Sequence, residues 1–161
     1  MADFNYMAIL VAAIVPFIIG FAWYNPKLFG TTWMREAEMT EEKMKSGNMA
    51  VIFIVTLILS FILAFFVQTL TIHQMSAASL MGGDPELAKP SYEAFMNDYK
   101  DAFRTFKHGA LHGVLAGLFL FFPVIAINGL FERKSWKYIL INSGYWIVSL
   151  AVMGAIVCGW R

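Results

Sequence analysis

Four stretches of this chain, residues 4–24, 50–72, 109–131 and 138–160, contain no lysine, arginine, aspartate or glutamate. Each is long enough to cross a bilayer, since about 20 helical residues at 1.5 Å per residue cover a hydrocarbon core about 30 Å thick. A lysine or arginine at the middle of such a run costs roughly 2.5–3.5 kcal/mol on insertion scales, so the clearing of charge from all four is selective. In hydrocarbon every backbone amide must be paired within its own segment or a closed barrel, and runs of this length do so as helices. The expected fold is all-α: a bundle of four transmembrane helices in a single domain covering residues 1–161.

Composition removes the alternatives. Hydrophobic residues make up 59% of the chain and charged residues 14%, against roughly 45–50% and 25% in ordinary globular proteins. A soluble enzyme this apolar would lack a polar coat, and disorder requires the opposite bias. The net charge of +1 provides no basic face for nucleic acid. Cys158 is the sole cysteine, so neither an internal disulfide nor a cysteine metal site can form. No nucleophile–base arrangement and no phosphate-cradling glycine loop is visible. The expectation is a non-enzymatic protein without a cofactor.

Four crossings put both termini on one side. Asp3 is the only charge ahead of the first run, which lacks the basic flank and cleavage site of a signal peptide and reads as a retained helix. The connections at 25–49 and 132–137 hold seven lysines and arginines, and the opposite side holds five. The positive-inside rule then makes those two connections cytoplasmic and both termini non-cytoplasmic. Trp23, Tyr24, Trp33, Trp136 and Tyr138 fit one membrane interface and Tyr6 and Trp160 the other, as amphipathic rings that partition to headgroup depth.

Small residues recur at every fourth position of the spans, where they let helix backbones approach closely. Gly109, Gly113 and Gly117 form one such stripe in the third span, and Ala151, Ala155 and Gly159 another in the fourth. They are read as packing faces of a compact bundle. Pro16 and Pro123 each remove a helical donor, freeing the carbonyls of Ala12 and Phe119 and bending their helices.

In the connection between the second and third spans, Met81-Gly82-Gly83-Asp84-Pro85 marks an irregular loop. Tyr92, Phe95, Met96, Tyr99, Ala102, Phe103 and Phe106 then fall on one helical face, predicting an amphipathic helix over about 91–107, capped by Ser91 and lying in the membrane interface. In the 25–49 connection, Thr32 is expected to cap a short helix whose balanced charges form a solvated face.

Three histidines are the only constellation with possible chemistry. His73 follows the second span, while His108 and His112 open the third, four residues apart on one face. All three belong to one end of the bundle. Imidazoles ligate metals and haem iron, but the incomplete ligand set favours ordinary hydrogen bonding. Asn128 and Asn142 are placed to bond across the last two spans.

The segment Gly20-Phe21-Ala22-Trp23-Tyr24-Asn25-Pro26-Lys27-Leu28-Phe29-Gly30-Thr31-Thr32-Trp33 has the spacing G-x-x-W-Y-x-P-x-x-F-G-x-x-W. With His108-Gly109-Ala110-Leu111-His112-Gly113, Asn128-Gly129-Leu130-Phe131-Glu132-Arg133 and Gly144-Tyr145-Trp146, it resembles a family of small bacterial four-helix membrane proteins catalogued as a domain of unknown function. That resemblance implies residence in the bacterial inner membrane and assigns no catalytic residue. The leading expectation is an accessory or structural subunit of a larger membrane complex, with membrane lipids and other subunits or a second copy as partners. The alternatives are a small transporter or lipid-binding protein beside the proline kinks and, behind it, a histidine-ligated metal or haem protein.

Overall fold

The computed structural model describes residues 4–82 and 84–161; Asp3 and Gly83 lie outside them. Four helical runs are long and apolar enough to cross a membrane: Tyr6–Trp23, Met49–Thr71, Phe106–Phe131 and Trp136–Gly159. The first is α1 (Tyr6–Trp23), and the second is α4 (Met49–Thr71). The third is built from α7 (Phe106–Ala116), a π turn (Gly117–Phe121) and α8 (Phe122–Phe131); the fourth is α9 (Trp136–Gly159). Each run starts at a side-chain cap. Asn5 accepts from the Ala8 amide, Asn48 from Val51, Thr105 from His108 and Ser135 from Tyr138, satisfying donors that a helix start leaves free.

The fourth run is the hub, packing against α1, α4, α7 and α8. Ile9, Ala12, Ala13 and Val15 of α1 meet Ala64 and Val67 of α4 and Leu150, Met153 and Val157 of α9 in the principal core. The α7–α9 seam is closer than side chains would permit. A Cβ added to Gly109 would overlap the Gly154 carbonyl, and one on Gly113 would overlap the Leu150 carbonyl and crowd the Ala151 Cα. At Gly117 it would come 2.7 Å from the Ile147 Cα. Three glycines thus bring two backbones into direct contact, the contact that replaces a hydrophobic driving force within lipid.

On α9 the positions facing the glycines are Ile147, Leu150, Gly154 and Cys158. Of the small residues expected there, Ala151 contributes backbone, Gly159 lies against Phe106, and Ala155 is half-buried.

Pro123 does not bend a continuous helix. It falls in the first turn of α8, directly after the π turn, whose wider winding lets the Phe122 amide reach back to the Gly117 carbonyl. Pro16 stays inside α1, and the Tyr145 hydroxyl donates to its carbonyl at 2.9 Å.

The connections also depart from expectation. The amphipathic helix is α6 (Pro90–Tyr99), with Lys89 as cap and Pro90 in the first turn, where its missing amide costs nothing. It stops at Tyr99, eight residues short of its predicted end. The chain turns over Lys100–Phe103, where Phe103 adopts a φ of 60°, and Thr105 then starts the next helix. Ahead of it lies α5 (His73–Ser79), separated from α4 by the extended Ile72. The first connection forms α2 (Gly30–Glu36) and α3 (Glu41–Ser46), the latter capped by Thr40.

Its charges are not all solvated. The Ser135 hydroxyl donates to Glu36 Oε2 at 2.6 Å, and Lys134 Nζ lies 3.6 Å from Glu38. The first connection and the turn before α9 are therefore latched at one end of the bundle. At the other end, the Asn5 amide donates to the Trp160 carbonyl at 3.2 Å.

Candidate functional site

The three histidines gather at the end of the bundle marked by Asn5 and Trp160. His108 and His112 project from successive turns of α7, held in place because the intervening Gly109 and the following Gly113 fasten that helix to α9. His73 opens α5, and the extended Ile72 turns it out of the α4 axis. Its Nε2 lies 3.1 Å from His108 Nε2, a distance at which one ring donates and the other accepts, according to tautomer. The His112 ring closes the triangle, with centroids 4.9 Å from His73 and 4.4 Å from His108. One ligating nitrogen from each residue falls within 4.8 Å of the other two. His73 is exposed, while His108 and His112 are half-buried.

Two neighbours that the sequence does not announce as functional shape this cluster. Phe103 stacks on His108 at 5.0 Å and meets His73 edge-on at 6.3 Å. The buried Gln74 donates through Nε2 to the carbonyls of Tyr99 (2.7 Å) and Ala102 (2.9 Å), clamping the residue beside His73 to the turn that carries Phe103. That turn is fixed again from α9. Arg104 Nε donates to the Cys158 carbonyl at 3.1 Å, and Arg161 pairs with Asp101 at 3.0 Å. A cation at a helix C-terminus is favourably placed against the dipole. Neither Gln74 nor Arg104 carries a periodicity or motif that marks it; only their tertiary partners do.

The aromatic residues divide in two. Trp136 and Trp160 are exposed. Trp23 and Tyr24 instead reach into the bundle: the Trp23 indole donates to the Ile141 carbonyl at 3.0 Å and the Tyr24 hydroxyl to Asn142 Oδ1 at 2.9 Å. Trp33 is half-buried edge-on to Tyr24. Asn142 thus bonds Tyr24, and its own amide returns to the Tyr138 carbonyl, whereas Asn128 is exposed. The expected Asn128–Asn142 pairing is replaced by one across α1 and α9. Beside Pro123, Leu120, Phe121, Val124, Ile125 and Trp146 line an open groove of about 380 Å³.

Four apolar spans around a glycine seam, with a histidine cluster at one end, define a multi-pass membrane protein. The chain belongs to the family described as Protein of unknown function (DUF1761), whose family model matches residues 7–158. No curated protein and no solved structure matches it.

Proposed function

We propose that this protein is a non-enzymatic accessory or structural subunit of a larger assembly in the bacterial inner membrane. The observation that carries this reading is exposed aromatic surface in the connection between the second and third spans, continued by the first residue of the third. Phe95, Tyr99, Phe103 and Phe106 are 42–65% exposed, yet the backbone that bears them is held by the Gln74 clamp and by Arg104 and Arg161. Fixed, exposed aromatic surface fits contact with a partner or with the lipid interface. The positive-inside count puts this surface on the non-cytoplasmic side with both termini.

Gentle-detergent purification with intact-complex mass spectrometry tests the reading. A subunit in fixed ratio that is lost from a Phe95→Ser, Tyr99→Ser variant supports it. A lone particle of monomer mass overturns it. Reporter fusions at residues 40 and 161 test the orientation, with only the first expected on the cytoplasmic side.

A second reading, lipid or small-molecule binding, is favoured by the groove beside Pro123. Its lining of Leu120, Val124, Ile125 and two aromatic rings suits an acyl chain. Native lipid that survives delipidation, and is released by Val124→Trp, would support it.

A further inference from the structure

We propose that His73, His108 and His112 form a binding site for a divalent first-row transition-metal ion at the membrane surface, with a fourth position left for water.

The argument begins with the donor geometry. Tetrahedral zinc bound at 2.0–2.1 Å holds its imidazole nitrogens about 3.3 Å apart. The Nε2 atoms of His73 and His108 already stand 3.1 Å apart, and a nitrogen of His112 lies within 4.8 Å of both. A hydrogen bond accounts for one pair of rings. It does not account for the third ring, which sits against both members of that pair. One shared cation would satisfy all three lone pairs once the His112 nitrogen closes from within 4.8 Å to coordinating distance.

The cluster also stands on rigid supports from different parts of the chain. Two ligands four residues apart on one helix face form a bidentate clamp, and α7 is the helix whose rotation the glycine seam with α9 fixes. The third ligand is held by its neighbour Gln74, which is 4% exposed and bonded to two carbonyls of the 99–102 turn. Phe103, at its left-handed φ, covers one flank of His108, and the exposed His73 leaves the cluster open to solvent. An ion therefore has an entry path, two donors at coordinating separation with a third within reach, and an open position.

Donor chemistry sets the class of ion. Three imidazoles suit zinc, copper, nickel and cobalt, whereas magnesium and calcium demand oxygen ligands. Among the described residues no thiolate or carboxylate joins the group.

The test uses the full chain in detergent micelles, purified without an oligohistidine tag. Zinc content after dialysis against excess zinc sulfate and then metal-free buffer should be one ion per chain, and cobalt should give the visible absorption of a four-coordinate centre. His108→Gln and His112→Gln should each weaken zinc binding by at least about 100-fold, more than is typical of losing a supporting partner. The thermal melt of each metal-free variant is run in parallel to register its folding. Wild-type protein that retains no ion and gives no cobalt spectrum overturns the proposal whether or not the variants fold. A His108→Gln, His112→Gln double variant with wild-type affinity also overturns it. Neither outcome bears on subunit association, which is read by mass.

Discussion

Gly109 and Gly154 face each other across α7 and α9 with no room for a methyl group on either: a Cβ on one meets the other's carbonyl oxygen. Relief requires the helices to part, because the obstructing atoms belong to backbone. Gly109→Ala should destabilise the protein by at least about 2 kcal/mol, within the usual range for overpacking. Heat or denaturant unfolding in detergent measures this. Gly82, which has open space around it, is the control, with a non-glycine residue there strained only by its φ of 62°.

Tyr24 and Asn142 make a side-chain hydrogen bond between α1 and α9. Interhelical hydrogen bonds in membranes average about 0.6 kcal/mol and rarely exceed about 1.7. Tyr24→Phe should therefore cost about 0.5–1.5 kcal/mol in the same unfolding measurement, less than Gly109→Ala. A larger loss from Tyr24→Phe would make the polar contact, and not the glycine seam, the dominant tie.

The Glu36 carboxylate is held below the ordinary glutamate range by the Ser135 hydroxyl first and the Arg35 guanidinium second. A lowered folded-state value means that the latch contributes fully above the unfolded glutamate value and is lost as pH falls through the folded one. Melting temperature should thus drop on acidification below the unfolded value. Ser135→Ala should flatten that part of the profile while leaving the neutral-to-basic limb parallel to wild type. An unchanged acid limb in the variant would dissociate Glu36 from the latch.

If the histidine cluster takes zinc, binding couples to folding, because an ion held by the native state alone adds RT ln(1 + [L]/Kd), about 2.7 kcal/mol at a hundredfold excess over Kd. Melting temperature should rise with zinc, return to its starting value with a chelator, and stay flat in His112→Gln. The same ion joins the start of α5 to α7, so protection from proteolysis should extend through residues 74–105.

The four crossings were legible because charge is excluded from a 20-residue run for one overriding physical reason. The glycines of α7 were legible too, since they leave few readings of their stripe. On α9, however, Ala151, Gly154, Ala155, Cys158 and Gly159 are all small. Periodicity alone could not select the face that meets α7. The end of α6 at Tyr99 was hidden because Ala102, Phe103 and Phe106 continue an apolar rhythm across a turn whose cause is tertiary: Gln74 and Arg104 hold the backbone there. Trp23 and Tyr24 looked like anchors by position, and their inward polar atoms found α9 instead. The gathering of the histidines followed from topology, but their separations depend on Ile72 leaving the α4 axis.

The π turn at Gly117–Phe121 sets the angular phase of everything after it. One residue is worth about 100° of helical rotation, and a π turn is an α-helix that has accommodated a single extra residue. It is the setting in which Ala126 and Gly129 face inward, with Gly129 packed so closely on Ile139 that a Cβ would fall 2.8 Å from that side chain. Winding these same residues as regular α-helix would swing Gly129 toward the acyl chains and carry its bulkier neighbour Asn128 into the slot, whereas deleting one residue among Leu118–Leu120 would remove the π turn and leave Gly129 in phase. With this number of residues in the span, regular winding and correct docking are mutually exclusive.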